Sequence, residues 1–313
     1  MRCALLGPQQ AAPVLGEVAR AVEARGPVAV VTAGWLEREL DPADLWEELG
    51  GLEVVNLELW GRREAVRSAD PAFAAASDAL REDLDEVRRL YRRRLDHVVD
   101  ALHEVFRETG DPELLLPERR AALAALQELD RHFTARSREL RAPAGGGERA
   151  SRPEVRRQRR EIADLAAPCD AIVIAGGHVV ELLDCLRLFA AADLFDGRSL
   201  IAWSAGAMAL TPLVVGFHDR PPQGAGNAEV LAEGLGRCPG LVALPHAKRR
   251  LDLADPYRVA LLARRFAPAH CVALDEGDWL EWDGSHWRSP RGVRRLGSDG
   301  AVANLTALDE AAA

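Results

Sequence analysis

The sequence predicts an α/β protein: a three-layer αβα, doubly wound, mostly parallel sheet carrying a long helical insertion. Three observations predict it. Short β-branched apolar runs alternate with helix-period segments in both outer parts of the chain, the pattern of parallel strands buried on both faces. The middle hundred residues instead carry apolar residues at spacings of three and four. A chain of 313 residues, 48% hydrophobic and 28% charged, has the composition of a globular protein with a substantial core.

Residues 1–60 give the first part of the sheet. Cys3-Ala4-Leu5-Leu6 reads as a strand, Val14 to Ala24 as a helix, Val28-Ala29-Val30-Val31-Thr32 as a strand, Leu45 to Leu49 as helical and Val54-Val55-Asn56-Leu57 as a third strand. Residues 61–160 form the insertion. From Pro71, the residues Leu80, Leu84, Val87, Leu90, Tyr91, Leu95, Val98, Leu102 and Val105 make one apolar stripe, with arginines and acids opposite. Gly110-Asp111-Pro112 ends that helix. A second is expected from Pro117 to Leu140 with Leu123, Leu126, Leu129 and Phe133 in its stripe, and Ala142 to Gly147 as a flexible tip. The expected role of this hairpin is a lid or a homodimer contact.

From residue 161 to 313 the alternation resumes. Ala171-Ile172-Val173-Ile174-Ala175 is a strand ended by Gly176-Gly177, and Val179 to Ala190 a helix. Ser199-Leu200-Ile201-Ala202-Trp203 is the next strand, with a helix from Ala205. Gly240 to Leu244 and Cys271 to Leu274 supply further strands, and Trp279 to Trp287 a closing hairpin turning at Asp283-Gly284.

Composition narrows the function. Net charge is −9, and aromatic residues are only 5%, which argues against a nucleic-acid partner and against a base-stacking platform. The insertion holds 22 Arg against 19 acidic residues, but the two signs interleave, as on solvated helix faces. Lys248 is the one lysine. Cys3, Cys169, Cys185, Cys238 and Cys271 are odd in number and widely spaced, as small core residues of a reducing compartment are. The opening Met1-Arg2-Cys3-Ala4-Leu5-Leu6-Gly7-Pro8 lacks the apolar stretch and cleavage site of a secretory signal, and no window approaches 18 consecutive apolar residues. A cytoplasmic location with no membrane partner is therefore expected.

Chemistry is suggested where a strand meets a helix. In Ala202-Trp203-Ser204-Ala205-Gly206-Ala207, small residues flank Ser204 at −2 and +2, as a sharp strand-to-helix turn requires. Such a turn lifts the hydroxyl above the sheet at the positive end of a helix. The neighbouring strand ends in Gly176-Gly177, so amides of Gly177 and His178, with that of Ala205, would face a reacting carbonyl as an oxyanion hole. His246, just past the strand Leu241 to Leu244, is the candidate base. Its orienting carboxylate is sought among Asp219, Glu229 and Glu233, with Asp219 preferred because the apolar run Leu213 to Phe217 would carry it back over the sheet. His218 is a competing base.

Four segments in one order, Gly-Gly-His-Val-Val-Glu-Leu-Leu at 176–183, Trp-Ser-Ala-Gly-Ala at 203–207, Gly-Leu-Val-Ala-Leu-Pro-His at 240–246 and Ala-Leu-Asp-Glu-Gly at 273–277, resemble the dipeptidase E and cyanophycinase family of serine peptidases. The resemblance spans the two outer parts of the chain and implies the class I glutamine amidotransferase-like fold with serine as nucleophile. Carried over by position, it implies Ser204 as nucleophile, His246 as catalytic His, Gly177 and Ala205 at the oxyanion hole, and Asp219 as the acidic partner with Glu229 as substitute. It implies a small acidic peptide substrate, aspartyl or isoaspartyl, with His178 and Arg250 near it, and no metal or organic cofactor. The sequence departs from the family at His178, where Asn or Asp is common, and at Ala247, where an aromatic residue is common. The alternatives are a catalytically inactive amidotransferase-like binding or assembly protein and a glutamine amidotransferase, the latter disfavoured by Ser204 in place of a thiol. No G-x-G-x-x-G follows the first strand, against a dinucleotide site.

Overall fold

Alternate residues of a strand face opposite sides, so a run of four apolar residues can persist only where both sides are covered. The computed structural model, which describes residues 2–41, 43–146, 149, 151–220 and 226–308, shows such a sheet. Its strands are β1 (Cys3–Leu6), β2 (Val28–Val31), β3 (Val54–Asn56), β4 (Ala171–Ile174) and β5 (Ser199–Trp203), all mutually parallel in the order β3-β2-β4-β5-β1. Cys3, Leu5, Ala29, Val31, Ile172 and Ile174 point into one apolar layer. Ala4, Leu6, Val28, Val30, Ala171 and Val173 point into the other. The second layer is closed by α1 (Leu15–Ala21) and α2 (Ala43–Glu48). The first is closed by α3 (Leu59–Ala69), α6 (Pro153–Ala166), α7 (Val179–Leu188) and α8 (Ala205–Leu210). The molecule is thus a mixed α/β protein with a parallel-rich sheet.

Between α3 and α6 stand two long helices, α4 (Pro71–Arg107) and α5 (Pro112–Gly146), which form the helical arm. α4 opens with Pro71 in its first turn and the Asp70 carboxylate accepting from the Phe73 amide at 2.9 Å. α5 opens at Pro112, ahead of the expected Pro117, because Asp111 accepts from the Glu113 amide at 2.9 Å. It continues through Ala142 to Gly146, where a flexible tip was expected; Arg138 pairs with Glu233 and Arg141 with Asp184, tying that end to the body. Gly147 lies outside the described residues. The buried stripe of α4 is Tyr91, Leu95, Val99 and Leu102, while Leu90 is 48% exposed. Val66 of α3 and Val155 and Ile162 of α6 belong to the sheet's core, so the flanks of 61–160 pack with the body.

The rest of the chain adds β6 (Leu213–Gly216), β7 (Glu229–Glu233), β8 (Leu241–Pro245), α9 (Ala247–Arg250), α10 (Pro256–Phe266), β9 (His270–Leu274), β10 (Trp279–Trp282), β11 (Trp287–Leu296) and β12 (Val302–Leu308). β10 and β11 form the expected closing hairpin, with Asp283 accepting from the Ser285 and His286 amides at 2.9 Å. β11 is irregular between Arg288 and Val293, pairing with β10 by its first residues and with β9 by its last. That irregularity lets the sheet turn. The C-terminal ends of β9 and β1 consequently meet: the Gly7 amide donates to the Asp278 carbonyl at 2.9 Å, and a Cβ on Gly7 would lie 1.8 Å from the Asp275 carbonyl oxygen. β8 lies parallel beside β9.

β6 and β7 form a separate two-stranded antiparallel sheet under the arm. There α4, α5, α10, β7 and β8 share a further core containing Tyr91, Leu102, Leu126, Phe133, Val230, Val242 and Phe266. Inside it Arg265, 5% exposed, clasps Asp130 with two bonds of 2.7 Å and donates to Tyr91 Oη at 3.0 Å; that hydroxyl donates to Asp130 at 2.8 Å and accepts from the Val230 amide at 3.0 Å. The five cysteines are buried and unbridged. Among the described residues no helix is long and apolar enough to cross a membrane.

Candidate active site

β5 ends at Trp203 and α8 starts at Ala205, so the chain reverses at one residue. Ser204 makes that reversal at φ 51°, ψ −114°. A non-glycine residue held there stores on the order of 1–3 kcal/mol of strain and needs neighbours that enforce it. They are small: a Cβ on Gly206 would lie 2.3 Å from the Ile174 carbonyl oxygen, and one on Gly176 would lie 3.1 Å from Ser204 Cβ. The turn leaves the hydroxyl partly exposed at the start of α8, with Oγ 3.4 Å from His246 Nε2. That is slightly long for a nucleophile–base pair, as catalytic contacts without substrate often are.

His246 also has a left-handed backbone, φ 59° and ψ 31°, and stands at the cap of α9. Its amide donates to the Leu274 carbonyl at 3.0 Å. Asp275, 5% exposed, accepts from the Lys248 amide at 2.9 Å and pairs with Arg294, so the ends of β9 and β11 hold the turn carrying the imidazole. Burial pushes the His246 pKa below its ordinary value, the cations Arg250 and Arg249 push it the same way, and Asp275 and Glu276 partly offset them. The ring is therefore neutral at pH 7 and able to accept a proton.

A pH dependence follows. With His246 as the base for Ser204, labelling by a fluorophosphonate would require the neutral ring, and its rate should climb through an acid limb below the ordinary imidazole value and level off at neutral pH. Arg250→Met removes a cation that disfavours the imidazolium; the limb should move upward, seen as slower labelling at about pH 6 with the neutral-pH rate retained. An unmoved limb would show that Arg250 does not act on this ring.

The strand beside β5 supplies the amides. Gly177 turns at φ 115°, and a Cβ there would sit 2.2 Å from the Gly34 carbonyl oxygen, so only glycine fits. Among the described residues the amides of Gly177 and Ala205 donate to no protein group, which leaves both open to a developing oxyanion. The His178 amide does not serve with them: it donates to the Gly34 carbonyl at 2.7 Å. The His178 ring caps α7, Nδ1 accepting from the Glu181 amide at 3.3 Å.

The sought carboxylates go elsewhere. β6 pairs with β7 and packs beside β8, and the loop after it carries Asp219 to the start of α10. There Asp219 accepts from Arg258 at 2.7 Å and from the Asp252 amide at 2.9 Å. With His218 it lines a cavity of about 410 Å³ between the arm and α10. Glu229 is held by Arg88 at 2.9 Å and Arg92 at 2.6 Å, and Glu233 by Arg138. Among the described residues no carboxylate bonds His246, whose ring is bonded to Ser204. Arg250 reaches over the Phe217 ring, 5.9 Å from its centroid. The positioning residues that sequence reasoning missed are Gly34, Asp275 and Arg294. Asp275 lies in the Ala-Leu-Asp-Glu-Gly segment already singled out, and Gly34 follows a strand end as Gly176 does; only their distant partners were hidden.

No protein-family model matches the chain, and no curated protein matches it. Among solved structures it is similar to a peptidase from an acI-B1 Actinobacterium, at 14% identity and a TM-score of 0.48, over 98% of this chain and 96% of that one. A likeness of that degree carries no weight for the site, whose reading rests on its own geometry.

Proposed function

We propose that the protein is a serine hydrolase that cleaves an amide bond, and that Ser204 and His246 are its catalytic pair. The observation that carries this is the strained Ser204 turn placing Oγ 3.4 Å from His246 Nε2. In this reading Ser204 Oγ attacks the carbonyl carbon as its proton passes to Nε2, and the amides of Gly177 and Ala205 receive the oxyanion. The tetrahedral adduct collapses, His246 returns the proton to the leaving amine, and the C–N bond breaks. Water, deprotonated by His246, then releases the acyl group as a carboxylic acid. No triad acid among the described residues stands behind His246 in this reading: Asp275 and Glu276 only partly offset the neighbouring cations, and the backbone turn at His246 fixes the ring. The chemistry calls for no cofactor.

The finer reading is a peptidase of the dipeptidase E and cyanophycinase type on an amidotransferase-like fold, acting on a small aspartyl or isoaspartyl peptide. Arg249 and Arg250, beside His246, fit a carboxylate next to the cleaved bond. The missing carboxylate on His246 favours a second reading, a ligand-binding protein that keeps the pocket without turnover. Labelling with a serine-directed fluorophosphonate, with the adduct mapped by mass spectrometry, decides between them. We expect one adduct on Ser204, absent in Ser204→Ala. Undiminished labelling of that variant, or none of the wild type, would overturn the hydrolase reading.

A further inference from the structure

A cavity of about 360 Å³ lies between the helical arm and α7; neither Ser204 nor His246 lines it, while His178, next to Gly177, does. Nine arginines line it. Six are in ion pairs with carboxylates. The remaining three, Arg149, Arg159 and Arg187, pair with no carboxylate among the described residues. Arg187 donates to the Glu233 carbonyl, Arg159 donates twice to the Leu188 carbonyl at 2.7 and 3.0 Å, and Arg149 donates to the Ser77 hydroxyl at 2.9 Å. Arg187 Nη1 and Arg149 Nε are buried with no hydrogen-bond partner. Of the carboxylates on the wall, Glu181, Asp184 and Glu233 already hold arginines, and Asp85 is exposed to solvent.

Three guanidinium groups line one space without a carboxylate, answered by neutral oxygens and, for Arg149, also by the Phe73 ring 5.0 Å away, an arrangement that is costly unless an anion joins them. Burial accordingly pushes all three below the ordinary arginine range, Arg187 to about 10. The volume falls in the range of small-molecule sites, and planar guanidinium forks suit phosphate and carboxylate oxygens in pairs. We propose that this cavity binds a small polyanion, a molecule with two or more phosphate or carboxylate groups, gripped by Arg187, Arg159 and Arg149 between α7 and the arm. It is a second site, beyond the hydrolase reading, with neither Ser204 nor His246 on its wall.

The test is calorimetric titration of the full-length protein at low salt, with pyrophosphate in one series and citrate in another. Saturable one-to-one binding of at least one is expected. Binding of pyrophosphate alone would assign a phosphorylated ligand, and of citrate alone a polycarboxylate. Arg187→Met and Arg159→Met should each weaken binding tenfold or more, and Arg187→Lys, which keeps the charge but not the fork, by less. Arg157→Met, on the exposed side of α6, should leave binding unchanged. Ser204→Ala should too, so failure here and failure of the hydrolase reading are separable. The ligand should also raise the melting temperature of wild type, and this rise should be lost in whichever of the two Met variants is folded. Absence of saturable binding for both anions, or wild-type affinity in the folded Met variants, would overturn the proposal.

Discussion

His246→Ala is expected to lower turnover of an aspartyl or isoaspartyl peptide by about four to six orders of magnitude, and Ser204→Ala by a similar factor. The double variant should be no worse than either single one. The reason is that in the proposed mechanism the two side chains act as one unit: the hydroxyl is a poor nucleophile until Nε2 takes its proton, and the imidazole has nothing to activate once the hydroxyl is gone. What survives in all three variants is the rate conferred by binding and by the open amides of Gly177 and Ala205. Steady-state kinetics on a substrate that the wild type cleaves is the measurement. Effects that add, with the double variant worse than His246→Ala by the full Ser204→Ala factor, would mean that the residues work separately and that the 3.4 Å contact is not catalytic.

Arg265→Met should give the largest loss of stability, about 3–5 kcal/mol, because it removes one partner of a buried ion pair and leaves Asp130 charged, 6% exposed and without its cation. Tyr91 Oη and the Ala228 carbonyl each lose a guanidinium donor as well. The companion change Asp130→Leu in the Arg265→Met background removes the stranded charge and should recover much of the loss. Urea unfolding of the two variants and wild type measures both effects. If Arg265→Met unfolds at the wild-type midpoint, the network does not brace the arm.

Features written locally were legible in the chain. Cys3–Leu6 and Ser199–Trp203 read as strands from four or five residues each, and the elbow at Ser204 from its small flanking residues, because those conformations answer to near neighbours. The long stripes of α4 and α5 were legible for the same reason, apart from Leu90, one step off the buried line. What was hidden depends on partners far away in sequence. The expectation that His246 would lie on the same edge as Ser204 rested on its place just past a parallel strand. The contact is made because β11 bends and brings β8 and β9 round to the end of β1, and no motif announces that bend. Asp219 was placed by its distance from Ser204 and by the apolar run before it, but that run pairs with β7 under the arm. A carboxylate's destination follows its strand's partner, and the hydropathy of Leu213 to Phe217 does not say which partner that is.

The helical arm shares one oily interior with Val242 and Leu244 on the strand leading to His246, and with α10 behind it. Swinging the whole arm away would wet Tyr91, Leu102, Leu126 and Phe133 together. Stretches of chain more than a hundred residues apart thus share one interior, and loosening either would expose apolar surface of the other.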